Sequence, residues 1–319
     1  MYHNFRMKNF VKSIMDKLIA IIGPTGIGKT QLAIQLALRF HGEIVNADSR
    51  QIYRYMDIGT AKPTAEERAA VPHHLVDIIE ADKEFSLAEY QRLANDAIQD
   101  IQRRGKIPFL VGGSGLYVRA ILEGWIIPKV APDVLFRQGL EKRAELGQGD
   151  DLYRELKEID PAAAEQIDPH NIRRVIRALE VNKVSDSTFS RLQKKQAPPF
   201  QTLIIGLTAE RKELYRRADE RVDNMLRQGF TGEVENLMQR GYSLNLPAMS
   251  SIGYREIGQY LEGGMTMEEA VYKIKTGTHR FIRHQYAWFR LKDERIKWFD
   301  IEKAPEPEII RTLAEFLKQ

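Results

Sequence analysis

The sequence predicts an α/β protein: a P-loop-type parallel sheet flanked by helices, with a helical insertion domain and a helical C-terminal part. Three observations predict it. Residues 18–22, Leu-Ile-Ala-Ile-Ile, form an unbroken apolar run rather than an alternating one, as in strands covered on both faces. Further strand-like stretches follow at 43–47 and 107–111, separated by helix-length stretches, and that order implies parallel crossovers. A glycine-rich turn follows the first run directly.

The elements follow in order. After the first strand, a helix is expected over 29–40, which contains no glycine or proline. The second strand, 43–47, ends at Asp48. A helix over 86–104 opens with Ser86 as cap and Glu89 three residues on, and Gly105 closes it. The third strand, 107–111, runs into Gly112 and Gly113. Between 125 and 200 no sheet strand is expected, only helices broken by Pro128, Pro132, Pro161, Pro169, Pro198 and Pro199. Residues 202–206 return to the buried-strand type, the remainder is mainly helical, and a late strand is expected near 296–299. The predicted division is residues 1–16 as a disordered or extended N-terminus, 17–124 with 201–319 as the catalytic core, and 125–200 as the insertion.

Composition narrows the chemistry. The 319 residues contain no cysteine, which excludes disulfides, thiolate nucleophiles and Cys-ligated zinc and is compatible with a reducing, cytoplasmic location. The hydrophobic fraction of 43% supports an ordinary globular core. The longest early apolar run is too short for a signal sequence or a membrane span, so no membrane partner is expected. A net charge of +4 suits an anionic partner.

Gly23, Pro24, Thr25, Gly26, Ile27, Gly28, Lys29 and Thr30 fit G-x-x-x-x-G-K-[ST]. Glycines let the backbone curl so that its N–H groups point inward and meet the positive end of the next helix. Lys29 adds a point charge for the outer phosphate, and the Thr30 hydroxyl is placed for Mg²⁺. This cradle specifies a polyphosphate but not its chemistry. Triphosphatases usually carry a metal-holding acid at a strand end. Here the third strand ends in Gly-Gly-Ser, and the acid is Asp48 on the second. Asn182-Lys183 is rejected as a guanine-specificity motif because its acid, Asp186, comes one residue late.

Several segments resemble the bacterial tRNA dimethylallyltransferases. They are the cradle, Asp48-Ser-Arg-Gln-Ile-Tyr53, Met56-Asp-Ile-Gly-Thr-Ala-Lys-Pro63, Pro72-His-His-Leu75, Leu110-Val-Gly-Gly-Ser-Gly-Leu-Tyr117, Arg177-Ala-Leu-Glu-Val181, Arg221-Val-Asp-Asn-Met225, Ser251-Ile-Gly-Tyr-Arg255 and the Gln285/Trp288 helix. The resemblance implies transfer of a dimethylallyl group from its diphosphate to N6 of the adenosine on the 3′ side of the anticodon, in tRNAs reading codons that begin with U. It implies Mg²⁺ as cofactor, the tRNA anticodon stem-loop as partner, and a cytoplasmic monomer.

Roles are then assigned by position and resemblance. Lys29, Thr30 and Asp48 are the expected catalytic set. Asp48 at a strand end can act as general base on the adenine amine; the competing readings are a helix cap or an outer Mg²⁺ ligand. The cradle and Arg221 are expected to bind the diphosphate. For Arg221 the competing reading is a surface salt bridge with Glu213, Asp219 or Glu220. Leu214, Ala218, Val222 and Met225 form the apolar face of its helix. The expected tRNA contacts are Asp48, Ser49, Arg50, Gln51, Ser114, Arg137, Arg173, Arg174, Arg177 and Gln285. Ser114 can equally be a turn serine.

Two basic stretches support a nucleic-acid partner. Residues 170–195 carry seven Lys/Arg against two acids, and residues 273–297 eight against two; both are expected to be helical. His279 and His284 stand where the family pattern has arginines. His73 and His74 suggest structural rather than metal roles. Rival readings are a P-loop small-molecule kinase, a non-catalytic RNA-binding switch, and a prenyltransferase acting on free adenylate; the basic stretches argue against the last.

Overall fold

The computed structural model describes residues 16–127, 133–185, 187–192 and 194–319. The expected N-terminal tail lies outside these residues apart from Asp16, as do Pro128, Pro132 and Asp186.

Six strands form one parallel sheet in the order β3-β2-β4-β1-β7-β8. They are β1 (Lys17–Ile22), β2 (Gly42–Asn46), β3 (His73–His74), β4 (Ile107–Gly112), β7 (Gln201–Thr208) and β8 (Ile296–Asp300). Central β1 pairs with β4 through Ile21↔Val111 and with β7 through Ile21↔Ile205. Successive side chains of a strand point to opposite faces, and both faces of β1 are covered. Ile19 and Ile21 pack with Leu32, Ala33 and Leu36 of α1 (Lys29–Phe40) and with Leu313 of the C-terminal helix. Leu18, Ala20 and Ile22 pack with Tyr90, Ala94 and Ile98 of α3 (Leu87–Arg103) and Val118 of α4 (Gly115–Leu122). That is why the strand is apolar throughout. Each isoleucine buried here contributes about 1.5–3 kcal/mol, and an aspartate at position 21 would break the arrangement by burying an unpaired charge.

Local signals set the helix ends. Gly28 precedes α1 at φ 95°, and His41 follows it in the left-handed region at φ 54°. Ser86 and Glu89 form a reciprocal capping box at the start of α3. A short α2 (Ala65–Ala70) carries a second such box from Thr64 and Glu67.

The C-terminal helices α10 (Arg211–Arg227), α11 (Phe230–Gln239), α12 (Tyr254–Leu261) and α13 (Met267–Trp288) build a further apolar cluster. Val222, Met225, Phe230, Val234, Tyr254 and Ile274 enclose Ile52, Tyr53 and Met56. The segment after β2 is thereby fixed from behind. The buried residues of α10 are Leu214, Ala218, Val222 and Met225, the face expected from its spacing. A last helix, α14 (Glu306–Lys318), covers the sheet.

The chain divides into two compact units, residues 1–122 with 199–319, and residues 123–198. The second holds α5 (Val134–Glu145), α6 (Gly149–Ile159), α7 (Pro161–Gln166), α8 (Ile172–Val184) and α9 (Phe189–Leu192) around Leu152, Leu156, Val175 and Leu179. It also contains a two-stranded antiparallel ladder, β5 (Trp125–Ile126) with β6 (Lys194–Lys195), where no strand was expected. Two residues per strand are too few to show a period. The same holds for β3, whose pairing of His73 with Ile44 is a tertiary contact. The second basic stretch is helical only to Trp288; beyond it the chain leaves the helix and enters β8.

Candidate active site

The glycine-rich turn leaves the C-terminal end of β1, where α/β sheets place ligands. Gly26 and Gly28 adopt φ of 78° and 95°, a region that only glycine enters freely. Ile27 anchors the loop in the core, and Lys29 Nζ donates to the Pro24 carbonyl at 2.8 Å. Thr25, Gly26, Gly28, Lys29 and Thr30 line a cleft of about 620 Å³. Asp48, Gln51, Lys62 and Arg221 line the same cleft.

The cleft is rich in cations. Burial pulls Lys29 down from 10.5 to about 8, while the carboxylate of Asp48 acts to raise it and Arg221 to lower it. Arg221 is likewise held below its ordinary value by burial, with Asp48 opposing that. Lys29, Arg221 and Asp48 therefore share this space, with Lys62, Arg68, Arg217, Asp57 and Glu67 also on its walls. Among the described residues, no three His, Cys, Asp or Glu converge as a metal site. The Thr30 hydroxyl and the oxygens of a bound phosphate could hold a magnesium ion there.

Asp48 is held by its own turn. Its N–H donates to Asn46 Oδ1 at 3.0 Å, and its Oδ1 accepts from the Arg50 N–H at 2.9 Å. Asn46 Nδ2 donates to the carbonyls of Asp48 and Leu75, both at 3.0 Å, and Tyr90 donates to the Asn46 carbonyl at 3.1 Å. Ser114 Oγ accepts from the Ser49 N–H at 2.9 Å, which joins the β4 end to this turn. Gln51 Nε2 donates to the carbonyls of Thr60 and Ala61, and Arg50 Nη1 to that of Pro247.

A model of the IPP transferase family matches residues 51–292, and one described as isopentenyl transferase matches residues 16–81. The chain belongs to the IPP transferase family. A tRNA dimethylallyltransferase of Roseiflexus sp. (strain RS-1) is 55% identical to it over 277 residues, 86% of this chain and 90% of that protein. The tRNA dimethylallyltransferase of Dehalococcoides mccartyi is 48% identical over 300 residues, 94% of this chain and 92% of its own. The crystal structure of the full-length tRNA isopentenylpyrophosphate transferase from Bacillus halodurans superposes with a TM-score of 0.71 at 41% identity, over 95% of this chain and 97% of that one. A eukaryotic dimethylallyltransferase acting on tRNA gives 0.78 at 31% identity, over 89% and 74%.

Within this family member the expected site residues divide. Thr25, Gly26, Gly28, Lys29, Thr30, Asp48, Gln51 and Arg221 meet in one cleft, with Ser49, Arg50 and Ser114 joined to its edge by the bonds described above, while Ile27 turns into the core. Arg221 stays out of the ion pairs offered as its alternative. Glu213 pairs with Arg216 and Arg217, Glu220 with Arg216, and Asp219 with His279, while Arg221 Nη2 donates to the Thr60 carbonyl at 3.3 Å.

One expectation needs correction, and three further residues are held within the fold. Gln285, expected at the tRNA, is 3% exposed. Its Oε1 accepts from the Thr25 N–H at 2.9 Å and its Nε2 donates to the Gly113 carbonyl at 3.1 Å, so it braces the cradle from beneath. Arg137 and Arg177, in the other compact unit, both pair with the wholly buried Glu180, at 3.0 and 2.6 Å. A buried carboxylate demands such partners, and both arginines remain partly exposed beside it. Arg173 and Arg174 of the same helix are exposed. His279 does not face outward as a phosphate-binding arginine would. It pairs with Asp219 at 2.8 Å and stacks on Tyr215 at 4.0 Å.

Sequence reasoning missed Asn46, Tyr90, Lys62 and Glu233. Lys62 is 8% exposed and donates to the Tyr53 carbonyl at 2.9 Å, to Asp77 at 2.5 Å and to Asp57. Its signal was present in its place within the Met56–Pro63 motif. Glu233 sits in a helix with nothing in its neighbourhood to mark it. Among the described residues no helix is long and apolar enough to cross a membrane.

Proposed function

We propose that this chain transfers the dimethylallyl group of dimethylallyl diphosphate to N6 of the adenosine next to the anticodon on its 3′ side, in tRNAs reading codons that begin with U. One observation carries the reading. The cationic cradle of Lys29 and Arg221 opens into the same cleft as the turn-fixed carboxylate of Asp48.

The chemistry follows from the charges. The allylic C–O bond breaks and its electron pair stays on the bridging oxygen of the departing pyrophosphate. The N–H groups of residues 26–30, with Lys29 and Arg221, stabilise that oxygen where charge develops. The N6 lone pair forms the new C–N bond. N6 is a weak nucleophile because its lone pair is delocalised into the ring, and Asp48 accepts the proton that it loses. A magnesium ion held by Thr30 and the diphosphate would supply further neutralisation of the leaving group. The P-loop thus serves a leaving group rather than a phosphoryl donor, which is why β4 needs no water-positioning acid.

The acceptor base must leave its stack, at a few kcal/mol. Ser49, Arg50, Gln51 and Ser114 stand at the cleft edge to receive it, and Arg173 and Arg174 are placed on an exposed helix face suited to phosphates. The absence of cysteine and the nature of the acceptor support a cytoplasmic location.

The test is incubation of unmodified tRNA with labelled dimethylallyl diphosphate and Mg²⁺. The unsubstituted protein is expected to add one dimethylallyl mass to one adenosine. Asp48→Ala is expected to bind tRNA but lose most of the transfer. Equal rates for the two proteins would remove Asp48 from the mechanism, and no transfer by either would remove the function.

A further inference from the structure

The Met56–Pro63 motif lines the cleft, yet the transfer chemistry assigns it no task. Its backbone is unusually constrained. The N–H groups of Asp57, Ile58 and Gly59 converge on the carboxylate of Glu233, at 2.9 and 2.6 Å to Oε2 and 3.1 Å to Oε1. Tyr254 donates its hydroxyl to Oε1 at 2.6 Å. Three successive N–H groups form the kind of concavity that binds an anion, and here the protein fills it with its own carboxylate. A Cβ on Gly59 would lie 2.2 Å from the Phe230 ring, so the loop is pressed directly against α11 and α12.

With its N–H groups turned to Glu233, the loop sends its next carbonyls into the site. The Thr60 carbonyl accepts from Arg221 at 3.3 Å and, with that of Ala61, from Gln51. Ala61 holds a left-handed φ of 45°, a strained conformation that the surroundings must enforce. Lys62 pins the far end through Tyr53, Asp57 and Asp77.

We propose that Glu233 is a positioning residue for the diphosphate site: by gripping three N–H groups of the loop it aims the Thr60 carbonyl, and through it the guanidinium of Arg221, at the leaving group. This rests on the reading of Arg221 as a diphosphate contact. Glu233 touches neither donor nor acceptor. Glu233→Gln keeps the shape but replaces one acceptor oxygen by a donor, which faces N–H groups and releases the loop.

The test is titration of inorganic pyrophosphate with Mg²⁺ into four proteins: unsubstituted, Glu233→Gln, Arg221→Ala and the double variant. Glu233→Gln is expected to weaken pyrophosphate binding by about tenfold, while tRNA affinity stays within about twofold. In the Arg221→Ala background the same change is expected to have no further effect, because a residue that acts through Arg221 has nothing left to position. An unaltered affinity in Glu233→Gln, or a full additional loss in the double variant, overturns the proposal. Should Glu233→Gln not fold, Tyr254→Phe removes one bond to Oε1 and leaves the three N–H bonds. It is expected to give a smaller loss that Arg221→Ala again abolishes, and persistence of that loss overturns the proposal. If the unsubstituted protein neither binds pyrophosphate nor transfers the prenyl group, the proposed function itself falls and takes this inference with it.

Discussion

Lys29 makes the binding of the donor depend on pH in a calculable way. Burial holds its ammonium at about 8 instead of 10.5. Only the charged form can neutralise a diphosphate. From that value, about nine-tenths of the free protein is charged at pH 7 and about one-tenth at pH 9. Bound phosphate oxygens beside Nζ restore the charge by favouring the protonated form. The donor's own last ionisation, near that of a phosphate monoester at about 6, is complete across this range. Affinity for dimethylallyl diphosphate is therefore expected to fall roughly tenfold from pH 7 to pH 9, with about one proton taken up per ligand at the upper end. Isothermal titration in buffers of different ionisation enthalpy measures both quantities. Folding runs the other way. Between about 8 and 10.5 the unfolded chain keeps a proton that folded Lys29 has released, so the ligand-free protein gains stability as pH rises through that window. Loss of affinity cannot then be attributed to unfolding. A flat affinity across the range, without proton uptake, would refute the argument.

Three further outcomes follow from the geometry. Gln285→Ala strands the Thr25 N–H and the Gly113 carbonyl, at about 1–3 kcal/mol for each unpaired group; thermal melting is expected to fall by several degrees and donor affinity to fall with it, and an unchanged melting temperature would contradict the brace. Gly113→Ala would place a Cβ 2.2 Å from Gln285 Nε2, so a soluble variant melting like the unsubstituted protein would show that contact to be misread. Arg173→Ala with Arg174→Ala removes two exposed charges without touching the core; melting is expected to stay constant while tRNA affinity drops and its logarithmic salt dependence loses about two units of slope.

What the sequence disclosed was what short-range physics decides. The apolar run at 18–22, the glycine-rich turn and the Ser86/Glu89 cap each state their structure within a few residues, and the apolar spacing of α10 gave its buried face. What stayed hidden was decided by contacts across the fold. Strand β3 exists only because His73 and His74 lie beside Ile44 and Val45. Gln285 sits in a helix rich in basic residues, and only packing reveals that it faces inward. Arg137 and Arg177 count as positive charge in any sequence tally, yet Glu180 holds both; the three-residue spacing of Arg177 and Glu180 was the available hint. The pairing of His279 was hidden because its partner Asp219 lies sixty positions away on another helix. The catalytic roles came through the resemblance of the motifs, since neither spacing nor propensity distinguishes a general base from a capping aspartate.

The central claim is that the cradle grips a departing pyrophosphate and not a nucleotide whose terminal phosphate is to be transferred. Titrating the protein with dimethylallyl diphosphate and with ATP, each with Mg²⁺, tests it most directly. The prenyl donor is expected to bind at one site at least about tenfold more tightly than ATP, with binding lost in Lys29→Ala. Tighter binding of ATP, with its terminal phosphate passed to a small acceptor, would contradict the account.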